Sequence, residues 1–101
     1  MQSSYSNDFE REMGCTVSEL LRWLPGAAGA AAAVALDGDT ARIGPIGDGA
    51  LRLAWQVMPP RRIALIAMPR IHIRFRFEGV SDAARHAFMR YFDLYTQRGG
   101  G

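Results

Sequence analysis

The sequence contains no lysine, and all of its 12 basic residues are arginines. This absence excludes Schiff-base chemistry, a P-loop lysine and a lysine general base. A single cysteine, Cys15, excludes an internal disulfide and a thiolate zinc cluster. No apolar run reaches the roughly 18 residues that a membrane span needs, so we expect no membrane partner. Acidic residues between Asp8 and Glu19 stand where a secretory signal carries positive charge, which favours a cytoplasmic location.

Length and composition indicate one small globular domain over residues 1–101. The chain is 49% hydrophobic and 22% charged, which is ordinary for a soluble protein of 101 residues. We expect residues 1–6 to be disordered and residues 99–101 to form a flexible tail. The tail, Arg98-Gly99-Gly100-Gly101, resembles the diglycine ends of ubiquitin-like proteins and sulfur carriers. Because it follows a predicted helix rather than a strand, we interpret it as a helix cap with a flexible end.

The strongest pattern lies between Arg70 and Glu78, where large apolar residues alternate with charged ones. The apolar set is Ile71, Ile73, Phe75 and Phe77. Alternation of this length predicts a strand with one buried and one solvated face. Residues 51–58 alternate in the same way, with Leu51, Leu53, Trp55 and Val57 facing the core. Pro59-Pro60 is predicted to end that strand, because proline cannot donate a ladder hydrogen bond.

Residues 62–68 are apolar at every position after Arg62 and are predicted to form an inner strand. Pro69 either separates this strand from the next or marks a bulge in one long strand, and we favour the break. One face of the strand would meet the helices and the other would face away, although the pattern does not decide which. An apolar stripe left in water usually marks an interface, so we predict a homodimer contact here. Its predicted residues are Ala54, Met58, Ala64, Ile66 and Met68.

The remaining segments predict two helices and a hairpin. Asn7 to Glu10 fits a capping box for a short helical turn ending near Gly14, and Thr16 to Glu19 fits a second one. The second helix is predicted to end at Pro25-Gly26, and strands at residues 34–36 and 40–43 to form the hairpin. Ser81 is predicted to cap a last helix that runs to about Gln97. Its predicted buried residues are Ala84, Ala87, Phe88, Tyr91, Phe92 and Tyr95.

This order of elements predicts an α+β two-layer sandwich. An antiparallel sheet of four or five strands would carry an N-terminal and a C-terminal helix on one face. The order is similar to that of small helix-grip domains and of the short proteins of polyhydroxyalkanoate granule regions. No motif accompanies the similarity, so it implies a fold and no function.

An anion-binding site is predicted on the charged face of the strand after Pro69. Arginines spaced by two residues repeat about every 6.6 Å, which is close to the spacing of phosphates, and arginine binds anions bidentately. The predicted residues are Arg52, Arg70, His72, Arg74 and Arg76, with Arg42 able to join from a neighbouring strand. The alternative is a solvated strand face that guards against aggregation. Because the aromatic residues fall on the buried face, the stacking platform of single-strand binders is missing.

The sequence holds no catalytic constellation, no metal-ligand spacing and no cofactor motif. Cys15 precedes a helix N-terminus, so it is either a reactive thiolate or a buried structural residue. The first functional hypothesis is a non-enzymatic interaction protein that assembles through its sheet. The second is an anion-binding module for nucleic acid or an acidic protein partner. The third is a small-molecule pocket between sheet and helices, around Trp55, Phe75, Tyr91 and Tyr95.

Overall fold

The computed structural model of the chain describes residues 5–97, which form one antiparallel sheet with two helices packed against it. The elements are β1 (Asp8–Met13), α1 (Val17–Ala28), β2 (Ala33–Asp37), β3 (Thr40–Ile46), β4 (Gly49–Ile63), β5 (Ile66–Glu78) and α2 (Asp82–Gln97). The strands lie in the order β1-β5-β4-β3-β2. The predicted α+β sandwich is therefore confirmed, with five strands. The predicted tail at residues 99–101 lies outside the described residues.

The core lies between the sheet and the helices, on the face that the alternation predicted. Phe75 is fully buried and stacks on Phe9 of β1 with ring centroids 4.8 Å apart. Its edge meets Phe92 of α2 at 5.4 Å, so one side chain joins β1, β5 and α2. Six of the residues predicted to be buried belong to one hydrophobic cluster, Phe88 as a partly buried member: Trp55, Ile73, Phe75, Phe77, Phe88 and Phe92. The prediction was wrong for Val57, which is 68% exposed.

The first element is a strand and not the helical turn that the capping box at Asn7 predicted. Residues 8–13 alternate between exposed acids and half-buried residues, which is the period of a strand. They pair antiparallel with β5, from Asp8 opposite Arg76 to Met13 opposite Ile71. Pairing with the free edge of β5 overrides a local capping signal, because each residue gains a ladder partner and Phe9 gains the Phe75 ring.

The second capping box is confirmed at the start of α1. The Glu19 amide donates to Thr16 Oγ1 at 3.1 Å, and the Thr16 amide donates to Glu19 Oε1 at 2.9 Å. The helix does not end at Pro25-Gly26 as predicted but continues to Ala28. A Cβ at position 26 would overlap the ring of Tyr95, so a glycine is needed there. Gly26, which was predicted to end the helix, is therefore a contact point between α1 and α2.

The strands of the sheet are longer than the sequence pattern predicted. β3 follows the predicted hairpin but continues from Ile43 to Ile46. β4 does not stop at Pro59-Pro60, and β5 runs through Pro69 without a break. Between the pair Met58–Arg70 and the pair Arg61–Met68, the two prolines of β4 stand opposite the single proline of β5. The three prolines therefore form a bulge in a stretch where β4 and β5 have no third strand beside them.

Residues 62–68 do not form the predicted inner strand. Ile63 pairs with Ile66, and Ala64 and Leu65 form the turn between β4 and β5. Ala64 has a φ of 54°, at the first turn position, where glycine is usual. All residues from Arg61 to Pro69 are exposed, so neither face meets the helices. The apolar residues on both faces of this segment, which the sequence pattern predicted to be buried, form the exposed end of a hairpin.

The buried face of α2 differs from the prediction. Its buried residues are Arg85, Met89, Phe92 and Asp93, whereas Ala87 and Tyr91 are exposed. Arg85 and Asp93 face inward, where Arg85 donates to the Tyr5 carbonyl just before β1 and Asp93 accepts from Arg11 within β1. Neither α1 nor α2 is long and apolar enough to cross a membrane, within the part of the chain that the structure describes.

Replacing Phe75 by alanine should lower the free energy of unfolding by roughly 3–5 kcal/mol, through lost burial and the cavity left behind. Val57→Ala is the matched control: Val57 points the same way from β4 but is 68% exposed. It should cost within about 0.5 kcal/mol. Denaturant melts measure both values, and a loss below about 1 kcal/mol for Phe75→Ala would contradict the central position of this ring.

Candidate functional site

The charged face of β5 points away from the helices, and we call this side of the sheet the outer face. Arg74 and Arg76 are exposed there, and Arg70 and His72 are half-buried. Arg52 joins them from β4, directly opposite Arg76. The structure thus brings the five predicted anion-binding residues together on one surface.

Acidic residues of β1 pair with this arginine row. Arg74 holds Asp8 in a bidentate contact, with Nε and Nη2 donating at 2.9 and 2.7 Å. His72 Nε2 lies 2.9 Å from Glu10. Arg70 Nη1 lies 2.8 Å from Glu12. Because β1 lies beside β5 and shows its acids outward, it neutralises much of the row that looked uncompensated in the sequence.

The Asp8–Arg74 contact is the best-defined ion pair on the outer face. The two hydrogen bonds from the Arg74 guanidinium, together with its charge, hold the pKa of the Asp8 carboxyl below its ordinary value. The same contact raises the pKa of Arg74. Arg76 also approaches Asp8, at 3.6 Å, which is too long for a hydrogen bond. On the other side of the row, Arg52 Nε donates to Glu78 at 2.7 Å.

The residues predicted to form the interface do not lie in one patch. Ala54 is exposed in the middle of the outer face, between Thr40 and Arg74. Met58 is half-buried before the proline bulge, and Ala64 lies in the turn. Ile66 and Met68 share one surface with Ile63, which the sequence placed on the opposite face. The chain reverses direction at Ala64 and Leu65, so Ile63 of β4 and Ile66 of β5 lie side by side on one surface. The prediction treated residues 62–68 as one strand, in which these two side chains would point to opposite faces.

The end of the β4–β5 hairpin extends beyond the rest of the sheet, and we call residues 57–70 the arm. β1 pairs with β5 no further than Ile71, and β3 pairs with β4 no further than Ala54. The molecule is accordingly elongated, with principal extents of 46 × 30 × 24 Å. Five large apolar side chains on the arm are exposed: Val57, Ile63, Leu65, Ile66 and Met68.

A groove of about 370 Å³ lies at the base of the arm. Met13 and Gly14 at the end of β1 form one side of it, and Ile63, Met68 and Pro69 of the arm form the other. The charged residues at its rim are Glu12, Arg61 and Arg70, and Glu12 approaches both arginines, at 3.7 and 2.8 Å. The groove is therefore apolar inside, with its rim charges partly balanced.

A buried polar network that no sequence pattern predicted links the start of the chain to α2. Tyr5 donates a 2.6 Å hydrogen bond to Asp93, which also accepts from Arg11 at 2.7 Å. Burial, reinforced by the hydrogen bond to Asp93, raises the pKa of Tyr5 to about 12. The prediction of disorder for residues 1–6 is thus wrong for Tyr5, and its first four residues lie outside the described residues. The spacing of Arg85, Met89 and Asp93 on one helical face was the signal for this network.

Arg85 completes this network on the other side of α2. Its Nε donates to the Tyr5 carbonyl at 2.7 Å, and Nη1 donates to Asn7 Oδ1 at 2.8 Å. Nη2 donates to Asp82. Because each of its three nitrogens donates to one of these acceptors, Arg85 fixes the path of the chain into β1.

A cavity of about 530 Å³ lies where the end of β1 meets both helices. Cys15 and Asp93 line it, together with Trp23, whose buried Nε1 has no hydrogen-bond partner in the described part of the chain. Burial raises the pKa of the Cys15 thiol to about 11, helped by Glu19. The thiol is therefore protonated at neutral pH, which supports the structural interpretation of Cys15 over the reactive one.

A metal site, which the sequence does not predict, and the small-molecule pocket of the third hypothesis have little geometric support among residues 5–97. Within residues 5–97, no group of three or more histidine, cysteine or carboxylate side chains is placed to hold a metal ion. Neither the groove at the base of the arm nor the cavity beside Cys15 is lined by the four residues of the small-molecule hypothesis. Phe75 is packed between Phe9 and Phe92, and Trp55 is buried, whereas Tyr91 is half exposed on α2.

Comparisons of the chain with models of known protein families, with curated proteins and with solved structures found no match. The surfaces described above are therefore the basis for assigning a function.

The Asp8–Arg74 pair predicts a measurable pH dependence. Because the folded-state pKa of Asp8 is lowered, the pair stabilises the fold above the unfolded pKa, near its ordinary value of 3.8. This contribution is lost as the pH falls through the folded-state pKa. In an NMR titration of the side-chain carboxyl carbons, Asp8 should titrate below 3.8, and Arg74→Gln should shift its pKa upward.

Arg62→Gln is the control for this titration, because Arg62 is exposed on the arm and has no ion pair with any residue in the range 5–97. It should leave the Asp8 titration unchanged. An Asp8 pKa that stays the same in Arg74→Gln would show that the bidentate contact does not form in solution.

Proposed function

We propose that this chain is a non-enzymatic interaction protein that assembles as a homodimer in the cytoplasm, with the arm as its contact surface. The observation that carries the proposal is the set of five exposed apolar side chains on an arm that the rest of the fold does not cover. Full burial of one large aliphatic side chain stabilises by about 1.5–3 kcal/mol. A contact that covers several of them on each copy thus has a substantial driving force.

The arm is suited to contact through side chains rather than through added strands. A free strand edge recruits another strand by its unpaired N–H and C=O groups. Pro59, Pro60 and Pro69 lack the N–H group and distort the ladder with a bulge. Edge-to-edge pairing along the arm is therefore impeded. The apolar surface of Ile63, Ile66 and Met68 remains available for packing.

A second copy of the chain is the occupant that this surface fits. The arm carries both a projecting part, the fully exposed Leu65 at its tip, and a receiving part, the groove at its base. In a two-fold dimer the same patch appears on both copies, so each tip meets the groove of the partner. Leu65 would then pack against Met13 and Pro69 of the second copy, and the contact closes after two chains.

The charges around the groove are compatible with this dimer. The arm holds three arginines, Arg61, Arg62 and Arg70, and no acid. Glu12 at the end of β1 is within ion-pair distance of Arg61 and Arg70. Repulsion between two arms is thereby reduced at the place where they would meet, and the arginines stay at the hydrated rim of the contact.

The test is size-exclusion chromatography with light scattering. The wild type should run as a dimer at about micromolar concentration. Leu65→Asp and Ile66→Asp should both give folded monomers, because both side chains are exposed on the arm and an aspartate there disrupts only the contact. Circular dichroism shows whether each variant is folded.

Leu94→Asp is the matched control, since Leu94 is an exposed leucine on α2, away from the arm. It should remain a dimer. A wild type that is monomeric at high concentration, or a loss of the dimer in Leu94→Asp alone, would overturn the assignment of the arm as the contact surface.

A further inference from the structure

We propose that the outer face carries a binding site for a small amphipathic anion, a carboxylate or phosphate attached to an apolar body. The site is a second groove, of about 360 Å³, at the other end of the outer face from the arm. Four arginines line it from three adjacent strands: Arg42, Arg52, Arg74 and Arg76. This anion site differs from the row along β5, because it runs across the strands and centres on Arg42 and Arg52.

The register of the sheet places three of these arginines side by side. Arg42 of β3 lies opposite Arg52 of β4, and Arg52 lies opposite Arg76 of β5. Neighbouring strands are about 4.8 Å apart, so three like charges stand in one transverse row. Directly opposed like charges destabilise a sheet unless an opposite charge compensates them. The row is therefore a place where a bound anion relieves repulsion.

Carboxylates approach two of the three arginines in this row, and Arg42 has none within residues 5–97. Asp8 accepts both hydrogen bonds from Arg74, which leaves Arg76 at 3.6 Å. Glu78 takes Arg52 Nε and leaves the two terminal nitrogens of Arg52 without an acceptor among residues 5–97. Arg42 forms no hydrogen bond or ion pair within that range. Guanidinium donors without an acceptor among residues 5–97 thus lie on neighbouring strands, at Arg42 of β3 and Arg52 of β4.

The floor of the groove explains why the ligand has an apolar part. Ala35 and Ala54 are exposed there, next to Arg42 and Arg74 in the strand pairing. The arginine stems form the walls, since their methylene groups cover apolar surface while the guanidinium groups stay in water. The lining residues include one acid, Asp37, against four arginines, which keeps the groove positive. A volume of about 360 Å³ suits a small molecule.

Octyl phosphate, used below its micelle concentration, is the probe, and amide chemical shifts of the full chain are the readout. It should shift the amides of Ala35, Arg42 and Ala54 and bind more tightly than inorganic phosphate. Arg42→Gln should weaken binding roughly tenfold, the effect of one lost charged hydrogen bond. Arg90→Gln is the matched control, because Arg90 is exposed on α2 and lacks an ion pair among residues 5–97.

A second variant separates the apolar floor from the arginines. Ala54→Leu fills the floor and keeps all four guanidinium groups, so it should weaken octyl phosphate and leave inorganic phosphate unchanged. The Leu65→Asp variant should bind octyl phosphate as the wild type does, because the arm is not part of this groove. The anion site thus stands or fails independently of the dimer.

Three results would overturn the assignment. Inorganic phosphate binding as tightly as octyl phosphate would show that the floor contributes nothing. Equal weakening by Arg42→Gln and Arg90→Gln would show attraction by general charge. Phosphatidylglycerol vesicles present the same chemistry in a bilayer. If the chain co-sediments with these vesicles, Arg42→Gln abolishes the co-sedimentation and soluble octyl phosphate does not bind, then the groove is assigned to a membrane surface instead.

Discussion

The antiparallel pairing of β4 with β5 determines the rest of the structure. These strands have 15 and 13 residues, whereas their neighbours β3 and β1 have 7 and 6. Where the neighbours and the helices cover the pair, its inner face forms the core around Phe75. Where they end, the same two strands continue as the arm. One long hairpin therefore produces both the buried centre of the protein and its most exposed apolar surface.

Charge on the outer face follows from the same arrangement. β5 supplies a row of basic residues and β1 supplies acids of the opposite sign, in an antiparallel register that sets Asp8 opposite Arg76 and Glu12 opposite His72. β3 supplies Arg42, which has no acid beside it in the pairing. The outer face is thus close to neutral along β1 and β5 and positive towards β3, although the net charge of the chain is only +2.

The sequence predicted the parts of the fold that depend on local periodicity. Alternation from Ile71 to Phe77 gave the buried face of β5, and Thr16 with Glu19 gave the start of α1. The prediction from sequence was wrong where tertiary contacts determine the local structure. The capping box at Asn7 yields to the edge of β5, and the arm looked like an inner strand because burial and exposure of apolar residues have the same pattern in sequence.

The candidate anion-binding site was also predictable only in part. The residues of the charged row were identified from their spacing, because period two places them on one face of a strand. Their partners were not, since Asp8, Glu10 and Glu12 were assigned to a helical turn. The inward turn of Arg85 and Asp93 on α2 also escaped prediction, because charged residues are seldom buried without partners and the partners, Tyr5 and Arg11, are more than 70 residues away in the chain.

The distribution of acids separates the outer face into two ends with different chemistry. At the arm, Glu12 partly offsets the charges of Arg61 and Arg70, which reduces like-charge repulsion where apolar side chains would meet another apolar surface. At β3, Arg42 has no ion pair within residues 5–97, so an apolar partner surface would have to bury an uncompensated guanidinium, which is costly. A bound anion would pair with the guanidinium and avoid this cost, whereas an apolar protein surface would leave the charge unpaired. We therefore propose self-association at one end of this sheet face and anion binding at the other.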